Sequence, residues 1–350
     1  EVRALMMGNK VTLPTIILVG YGKMGRLIFR ELQKVVNFDR CYICDPAFPD
    51  TCRQDGKIIY INSLNTLTPS SSLSSSFSSP PPSGAGGASA FIASTAHTHH
   101  SVLRSLIALG VKNIFVEKPA VMTVEEYDDI MSIAADCRIC TGYILRHSEC
   151  VQRIPSIIEE QVAQGFCPHY CTVEYSKYLP VDAEPRAQHD IGVFEELPHV
   201  WDLIFNYIQR TPLDYFRETY AKFFADPHKA DRCIEAVLEY EGSVAGHPVT
   251  VALHSSFRSP QRHRQFHFHF MKTTDSGAEH RQLLIDLDRP DNTDGLQLMQ
   301  GEEIICSETY KSLAKLSNEL SAAARYFLTG DTGHLALFKD ELTLIHLLKR

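Results

Sequence analysis

Short apolar runs and segments with helical spacing alternate through the first part of the chain. Five apolar runs occur before residue 120, and two of the segments between them place apolar residues three or four positions apart. A continuous apolar run is typical of a strand that is buried on both faces, as a parallel sheet requires. The pattern therefore predicts a parallel sheet covered by helices, with strands at 15–19, 41–44, 57–61, 90–95 and 113–117.

The second half of the chain alternates with a period of two. Residues 249–257 and 265–271 read as strands with one apolar and one polar face. We expect the apolar face to pack on helices and the polar face to meet a partner subunit or the cleft, although two histidines two residues apart could also bind a metal. In the second of these strands the apolar positions are Phe266, Phe268 and Phe270, and the polar positions are Gln265, His267 and His269.

The composition is that of a soluble enzyme with two domains. The chain has 350 residues, of which 44% are hydrophobic, and this is enough to build two cores. A net charge of -8 and an isoelectric point near 6.1 argue against nucleic-acid binding, because no basic surface is available to neutralise phosphates. The apolar stretch from Thr15 to Gly20 is too short to span a bilayer. We therefore expect no membrane contact and a cytoplasmic location.

Residues 63–90 interrupt this pattern with a segment rich in serine, proline and glycine. Such a segment buries too little apolar surface to offset the entropy that it would lose on ordering. We expect a mobile surface insertion, and a phosphorylation tract is the alternative.

A glycine-rich turn follows the first strand directly. Its six residues are Gly20, Tyr21, Gly22, Lys23, Met24 and Gly25, and a segment with helical spacing begins immediately after them. In a dinucleotide-binding turn the first glycine permits the tight turn, the second lets the backbone approach the pyrophosphate, and the third allows close packing of helix and strand. The N–H groups at the start of the helix then bind the phosphates.

The acidic residue Asp45 stands twenty positions beyond Gly25, at the end of the second strand. A carboxylate there accepts hydrogen bonds from the adenosine ribose and repels a 2'-phosphate, so NAD is favoured over NADP. Arg40 and Arg53 are near enough in sequence to keep NADP as an alternative.

Two sets of residues suggest metal binding at first sight. The pairs Cys41/Cys44 and Cys137/Cys140 lie in or beside predicted strands, where residues three apart point to opposite faces and cannot chelate together. The histidines at 97, 99 and 100 have no accompanying carboxylate or cysteine, so local hydrogen bonding or cofactor contact is favoured. We therefore predict no metal site.

The tripeptide Glu117-Lys118-Pro119 closes the apolar strand at 113–117. Ligands of open α/β sheets lie beyond the carboxyl ends of the strands, so Lys118 is a candidate proton carrier facing cofactor and substrate. Without this context the pair would be an ordinary surface Glu-Lys pair.

A second group of polar residues lies in the segment from Glu195 to Asp202. Glu195 and His199 are four residues apart, so a helix would place both side chains on one face, with Asp202 three residues further along. Taken alone, the arrangement favours a structural ion pair.

Together these residues resemble the glucose-fructose oxidoreductase, inositol dehydrogenase and rhizopine catabolism family, Gfo/Idh/MocA. The resemblance rests on the glycine-rich turn, on Ser94-Thr95 with His100 eighteen residues before Lys118, and on Glu117-Lys118-Pro119. It continues through residues 141–146 and the segment 319–330, and so covers the whole chain except the serine-rich insertion.

The resemblance implies an N-terminal Rossmann domain with a doubly wound parallel sheet at residues 10–147. It also implies a C-terminal α+β domain with a large, mainly antiparallel open sheet at residues 148–350, which binds substrate and joins subunits into a homodimer or homotetramer. Cofactor-binding residues are then Gly20, Tyr21, Gly22, Lys23, Met24, Gly25, Asp45, Ser94, Thr95, His100, Glu117 and Lys118.

The same resemblance implies hydride transfer between the nicotinamide of NAD, or of NADP, and a secondary alcohol or ketone carbon of a sugar or polyol. Lys118, His199 and Glu195 are the implied catalytic residues, and Tyr143 and Arg146 join them as substrate contacts. The family carries an aspartate where Glu195 stands and a small residue where Pro198 stands, so Glu196 could replace Glu195. The alternatives are an imine or cyclic-ketone reductase and a non-catalytic NAD(H) sensor.

Overall fold

A computed structural model gives the structure of the protein and describes residues 10–49, 53–67, 87–178, 192–209, 217–226 and 229–348. These residues form two compact units. The first unit contains the described residues up to His147 together with those from Lys315 onward, and the second contains those from Ser148 to Ala314. This division corrects the predicted assignment of the C-terminal segment, because its two helices belong to the first unit.

The elements follow one another in this order. Up to His147 they are β1 (Val11–Thr12), β2 (Thr15–Val19), α1 (Lys23–Val35), β3 (Val36–Asn37), β4 (Arg40–Cys44), β5 (Arg53–Asp55), β6 (Ile58–Ile61), β7 (Ser89–Ile92), α2 (His99–Ala108), β8 (Asn113–Glu117), α3 (Val124–Ile133) and β9 (Arg138–Gly142). The second unit contains α4 (Glu149–Ala163), β10 (Cys167–Tyr178), α5 (Leu197–Trp201), a π-helix (Asp202–Gln209), β11 (Arg217–Asp226), β12 (Lys229–Val244), β13 (His247–Ser256), β14 (Arg258–Thr274), β15 (Gly277–Asp286), β16 (Thr293–Gln300) and β17 (Glu303–Lys311). The chain then forms α6 (Lys315–Thr329), β18 (Ala336–Leu337) and α7 (Glu341–Leu348).

The main sheet of the first unit is doubly wound. Among the described residues its strand order is β18-β9-β8-β7-β2-β4-β6-β5. The pairs from β9 to β6 are parallel, and β18 and β5 pair antiparallel at the two edges. The order reverses between β2 and β7, and the crevice at such a reversal is where open α/β sheets bind their ligands. The predicted Rossmann architecture is confirmed.

Both faces of this sheet are buried. In β2, Ile17 and Val19 belong to the core covered by α2, α3 and α7, whereas Ile16 and Leu18 belong to the core covered by α1 and α6. Because neither face meets water, every residue of the strand is apolar or small, which explains the continuous run in the sequence. The two cysteines of β4 also fall on opposite faces, as expected for strand residues three positions apart.

The C-terminal segment completes the first unit. Strand β18 pairs with β9, and Leu320, Ala323 and Phe327 of α6 are buried in the core beside α1. The Ser317 hydroxyl donates to the Glu31 carboxylate of α1 at 2.7 Å. A sheet buried on both faces needs this second covering helix, and the chain supplies it only after the second unit is complete.

The sheet of the second unit is mainly antiparallel, as predicted. Its strand order among the described residues is β11-β12-β13-β10-β14-β15-β16-β17, and the one parallel pair in it is β10 with β13. The side chains of Phe266, Phe268 and Phe270 on β14 are fully buried, whereas His267 and His269 are partly exposed. The alternation predicted for β14 is therefore confirmed.

The serine-rich insertion lies mostly outside the described residues, which omit 68–86. Of its predicted span, Leu64–Thr66 form a 3-10 turn, and Ser89 with Ala90 begin β7. The insertion is thus shorter at its C-terminal end than predicted. Within the described parts of the chain, no helix has the length and apolar character needed to cross a bilayer.

Truncation of Phe268 tests the core of the second unit. Phe268→Ala removes a fully buried ring, so we expect the free energy of unfolding to fall by about 3–5 kcal/mol. The protein contains a single tryptophan, Trp201, which is buried in the same unit, so its fluorescence follows the transition during urea unfolding. Met271→Ala on the same strand is the control, because Met271 is exposed and its change should stay within about 0.5 kcal/mol. Equal effects of the two substitutions would contradict the assigned burial.

Candidate functional site

The glycine-rich turn is held by close backbone contacts. Gly20 ends β2 with φ of +89°, and a Cβ there would lie 2.5 Å from the Ser94 nitrogen. A Cβ on Gly25 would lie 1.9 Å from the Gly20 oxygen, so α1 reaches the strand only because residue 25 lacks a side chain. By contrast, a Cβ on Gly22 would meet no atom within 4 Å. The turn therefore has open space at the position where a pyrophosphate would approach.

The start of α1 presents its backbone donors at this open space. The helix begins at Lys23, and no side chain caps its N-terminus. Lys23 and Met24 are exposed, so the N–H groups of the first turn are accessible to a ligand. The N-terminus of a helix favours anions through these donors and through the helix dipole. The residues present therefore fit a dinucleotide.

Asp45 connects the end of β4 to the glycine-rich turn. Its carboxylate accepts hydrogen bonds from the Tyr21 N–H at 2.6 Å and from the Ala47 N–H at 2.9 Å. Arg40 stands at the opposite, amino-terminal end of β4, whereas Arg53 of β5 lies 5.8 Å from the Tyr60 ring centroid. Arg53 pairs with Tyr60, which is close to the carboxyl end of β6. Of the two arginines that could receive a 2'-phosphate, only Arg53 therefore lies near the edge formed by the carboxyl ends of the parallel strands.

Ser94 and Thr95 form the turn after β7, adjacent to Gly20. The Thr98 hydroxyl donates to the Ser94 hydroxyl oxygen at 2.8 Å, and Thr95 is exposed at the start of the 3-10 turn Ala96–Thr98. The carboxyl ends of β2 and β7 are neighbours in the parallel sheet. The structure thus brings these two predicted cofactor residues beside the glycine-rich turn.

The two histidines that begin α2 have different surroundings. His100 Nε2 lies 2.7 Å from the Asp129 carboxylate of α3, which also binds Arg104. These are contacts between two helices, so cofactor binding by His100 stays a prediction. The ring of His99 is buried against the sheet instead, between the backbone oxygens of Ser94 and Pro119. Local hydrogen bonding was one of the two roles predicted for His99, but the spacing did not indicate which of the two adjacent histidines faces inward.

Glu117, Lys118 and Pro119 lie at the carboxyl end of β8. The Lys118–Pro119 peptide bond is cis, and the Lys118 side chain is half-buried. Burial raises the pKa of Glu117 to about 7, and the neighbouring Lys118 opposes this rise. Gly142 gives the Glu117 side chain its space, since a Cβ there would lie 3.3 Å from the Glu117 carboxylate and 2.9 Å from the Phe115 ring.

Tyr143 and Arg146 follow β9 and are both buried. The Arg146 guanidinium donates to the Leu335 carbonyl at 3.0 Å and contacts the Asp340 carboxylate at 3.3 Å. These contacts hold the C-terminal segment within the first unit. Substrate binding by either residue stays a prediction.

The second unit contains the remaining candidates and corrects their predicted geometry. Glu195 belongs to the 3-10 turn Val193–Glu195 and is exposed, whereas His199 lies in α5, which begins only at Leu197. The two residues therefore do not share one face of a continuous helix. Pro198 in the first turn of α5 is favourable at a helix start, so the helix begins between the acid and the histidine.

Glu196 is the acid that the structure connects to α5. Its carbonyl accepts the His199 N–H at 3.1 Å, while its carboxylate pairs with Lys177 and lies 3.8 Å from Arg264. Further along, Asn206 donates to Asp202 at 3.3 Å. The loop from Leu179 to Gly192 also contains polar residues that, from the sequence, could contact substrate hydroxyls or merely face water, and its residues 179–191 lie outside the described residues.

A cavity of about 300 Å³ lies on the polar face of the second sheet. It is lined by Glu174, His254, Gln265 and His267 among others. His254 Nδ1 lies 2.7 Å from Glu174 and Nε2 lies 3.1 Å from Glu235, and the hydrogen bond that the ring donates to the Glu174 carboxylate raises the pKa of His254 to about 8. None of the predicted catalytic residues lines this cavity.

Residues 15–141 match the GFO_IDH_MocA model, described as an oxidoreductase family with an NAD-binding Rossmann fold. This match confirms the family expected from the sequence for the dinucleotide domain, and with it NAD binding. No curated protein matches the chain in sequence.

Solved structures share the fold over nearly the whole chain. A UDP-N-acetylglucosamine 3-dehydrogenase from Acidithiobacillus ferrooxidans has 15% identity and a TM-score of 0.64, covering 97% of this chain and 96% of its own. A myo-inositol dehydrogenase from Corynebacterium glutamicum has 15% identity and a TM-score of 0.61, covering 96% and 94%. A 3-ketoreductase from Actinomadura kijaniata, in complex with NADP and TDP-benzene, has 11% identity and a TM-score of 0.66, covering 96% of each chain.

Substitution of Gly22 tests the pyrophosphate position. Its φ of -68° suits alanine and no atom lies within 4 Å, so Gly22→Ala should change the free energy of unfolding by less than about 0.5 kcal/mol. The new methyl group would occupy the space of the pyrophosphate, and we expect the Kd for NADH to rise at least about tenfold. Fluorescence titration measures this Kd. Gly87→Ala, which also has open space around it, is the control. Unchanged NADH affinity in Gly22→Ala would exclude the predicted approach.

The raised pKa of Glu117 makes stability depend on pH. Its ordinary value is 4.5 and its folded value is about 7, so the folded protein binds the extra proton between these values. The stability from the neutral carboxyl is complete below about pH 4.5 and is lost as the pH rises to about 7. Glu117→Gln should weaken this decline in thermal unfolding between pH 5 and 8, whereas Glu125→Gln, at an exposed position, should retain it. The same pH dependence in all three proteins would contradict the burial of the Glu117 carboxyl.

Proposed function

We propose that this protein, whose residues 15–141 belong to the Gfo/Idh/MocA oxidoreductase family, transfers a hydride between NAD and a secondary alcohol or ketone carbon of a sugar or polyol. One observation carries the proposal. The glycine-rich turn, Ser94 and Lys118 follow β2, β7 and β8, which are consecutive parallel strands, so all three lie at one edge of the sheet. Neighbouring strands lie about 4.8 Å apart, and β7 separates β2 from β8, so Lys118 is roughly 10 Å from the glycine-rich turn.

The bound cofactor supplies the hydride chemistry, and the protein supplies the proton chemistry. In this proposal the Lys118 ammonium donates a hydrogen bond to the reacting oxygen and stabilises the negative charge that develops there. Histidine side chains titrate near neutral pH, so His199 is assigned as the general base for the substrate hydroxyl. Glu195 is the acid that we propose to assist His199, and Glu196, whose carboxylate contacts Lys177 and Arg264, is the alternative.

NAD is the proposed physiological cofactor. Asp45 places a carboxylate beside the glycine-rich turn, where it suits a ribose diol and repels a 2'-phosphate. Arg40 at the far end of β4 cannot receive such a phosphate, which leaves Arg53 as the support for NADP.

The solved structures support a polyhydroxylated substrate. One neighbour is named as a dehydrogenase of UDP-N-acetylglucosamine, another as a dehydrogenase of myo-inositol, and a third as a 3-ketoreductase. All three names describe redox chemistry at an oxygen-bearing carbon. The substrate class proposed for this chain is therefore a free or nucleotide-linked sugar, or a cyclic polyol.

Substitution of the two proposed proton carriers tests the function. Lys118→Met and His199→Asn should each lower kcat by about 10²–10⁴-fold, because each removes a proton-handling group. The Kd for NADH should change by less than about threefold in His199→Asn, which alters no predicted cofactor contact, and by less than about tenfold in Lys118→Met, which removes one cofactor contact among several. The assay follows NADH absorbance with a panel of polyols and sugar nucleotides, and Lys112→Met at an exposed position is the control.

The same panel should include imines and cyclic ketones. Turnover on polyols or sugars supports the proposal, and turnover confined to imines or simple ketones would replace it with the alternative reductase. NADH binding without turnover on any substrate, or full activity of both variants, would contradict it.

A further inference from the structure

The imidazole of His99 lies between the turns that follow two adjacent strands. His99 is the first residue of α2 and is only 1% exposed. Its Nδ1 lies 2.8 Å from the carbonyl oxygen of Pro119, and its Nε2 lies 2.9 Å from the carbonyl oxygen of Ser94. One ring therefore connects the turn after β7 with the turn after β8.

Each of these two carbonyls belongs to a segment with a proposed role. The backbone nitrogen of Ser94 stands against Gly20, at 2.5 Å from the position of a Cβ there, so Ser94 is packed on the glycine-rich turn. Pro119 is bonded directly to Lys118 through the cis peptide. A displacement of the His99 ring would thus change the distance between the glycine-rich turn and the lysine.

We propose that His99 is a positioning residue that holds Lys118 at its place relative to the dinucleotide turn. The inference rests on the proposed function, in which Lys118 acts on the oxygen of the substrate. A buried ring with both nitrogens near backbone oxygens has no exposed atom for substrate or cofactor, so it acts through Lys118 rather than by direct contact.

The protonation of the ring decides how it holds the turns. Burial lowers the pKa of His99, the hydrogen bonds to Pro119 and Ser94 oppose that effect, and the nearby side chains of His97 and Lys118 lower it further. Carbonyl oxygens only accept hydrogen bonds, so the ring donates to one of the two carbonyls when it is neutral and to both when it is protonated. Positioning therefore needs both a donor and the volume of the ring.

Three variants separate these contributions. His99→Phe keeps a ring of similar volume without a donor, His99→Gln keeps a donor on a flexible chain, and His280→Phe changes an exposed histidine of the second unit as a control. A displacement of the lysine by about 1 Å can cost up to about 10²-fold in rate, so we expect His99→Phe to lower kcat by about 10–100-fold. Its KM for NADH should stay within about threefold of the native value. His99→Gln should recover part of the lost kcat, and His280→Phe should leave kcat unchanged.

A second readout does not depend on turnover. Reductive methylation with ¹³C-formaldehyde labels the lysines, and the dimethyl-Lys118 signal is assigned by its absence in Lys118→Arg. We expect this signal to shift in His99→Phe and to keep its position in His280→Phe. If the native protein binds NADH but turns over no substrate, the proposed function fails while the spectrum still decides the role of His99. An unshifted Lys118 signal in both folded variants of His99, or native kcat in His99→Phe, would overturn the inference.

Discussion

The contact of Gly20 with the backbone of Ala93 and Ser94 is the constraint on which the candidate site depends. It brings the ends of β2 and β7 together where the strand order reverses, and a side chain of any size would separate them. Gly25 then lets α1 approach the same turn, so the free N–H groups of the helix face the crevice. Asp45 adds a carboxylate that binds the Tyr21 N–H from the next strand. The shape of the glycine-rich turn and the position of α1 beside it therefore depend on these close backbone approaches.

The first unit needs the C-terminal segment to complete its core. The sequence indicated correctly that a doubly wound sheet is present, because its strands are continuous apolar runs. It did not indicate that β18 pairs with this sheet or that α6 covers one of its faces. An amphipathic helix has the same pattern whichever core it covers. The pairing of Ala336 with Thr141 and the contacts of Arg146 determine that assignment, and both join residues about 190 positions apart.

The candidate residues were predictable to the extent that backbone geometry dictates them. The glycine spacing and Asp45 were found because a turn, a helix start and a strand end each require certain residue types. The inward position of His99 was not predicted, because the choice between adjacent histidines depends on how α2 packs on the sheet. Glu195 was placed on the helix of His199 because a four-residue spacing suggests one face, but a 3-10 turn and a new helix start at Leu197 intervene. The ends of short helices and turns depend on local packing, which cannot be inferred from the spacing of residues in the sequence.

The crystal structure of the complex with NAD tests the central claim, that the dinucleotide lies along the edge formed by the ends of β2, β7 and β8. The account predicts pyrophosphate oxygens within about 2.7–3.2 Å of N–H groups in the first turn of α1. It also predicts ribose hydroxyls on the Asp45 carboxylate and the nicotinamide ring adjacent to Lys118. A cofactor bound elsewhere, or a nicotinamide ring directed away from Lys118, would contradict it.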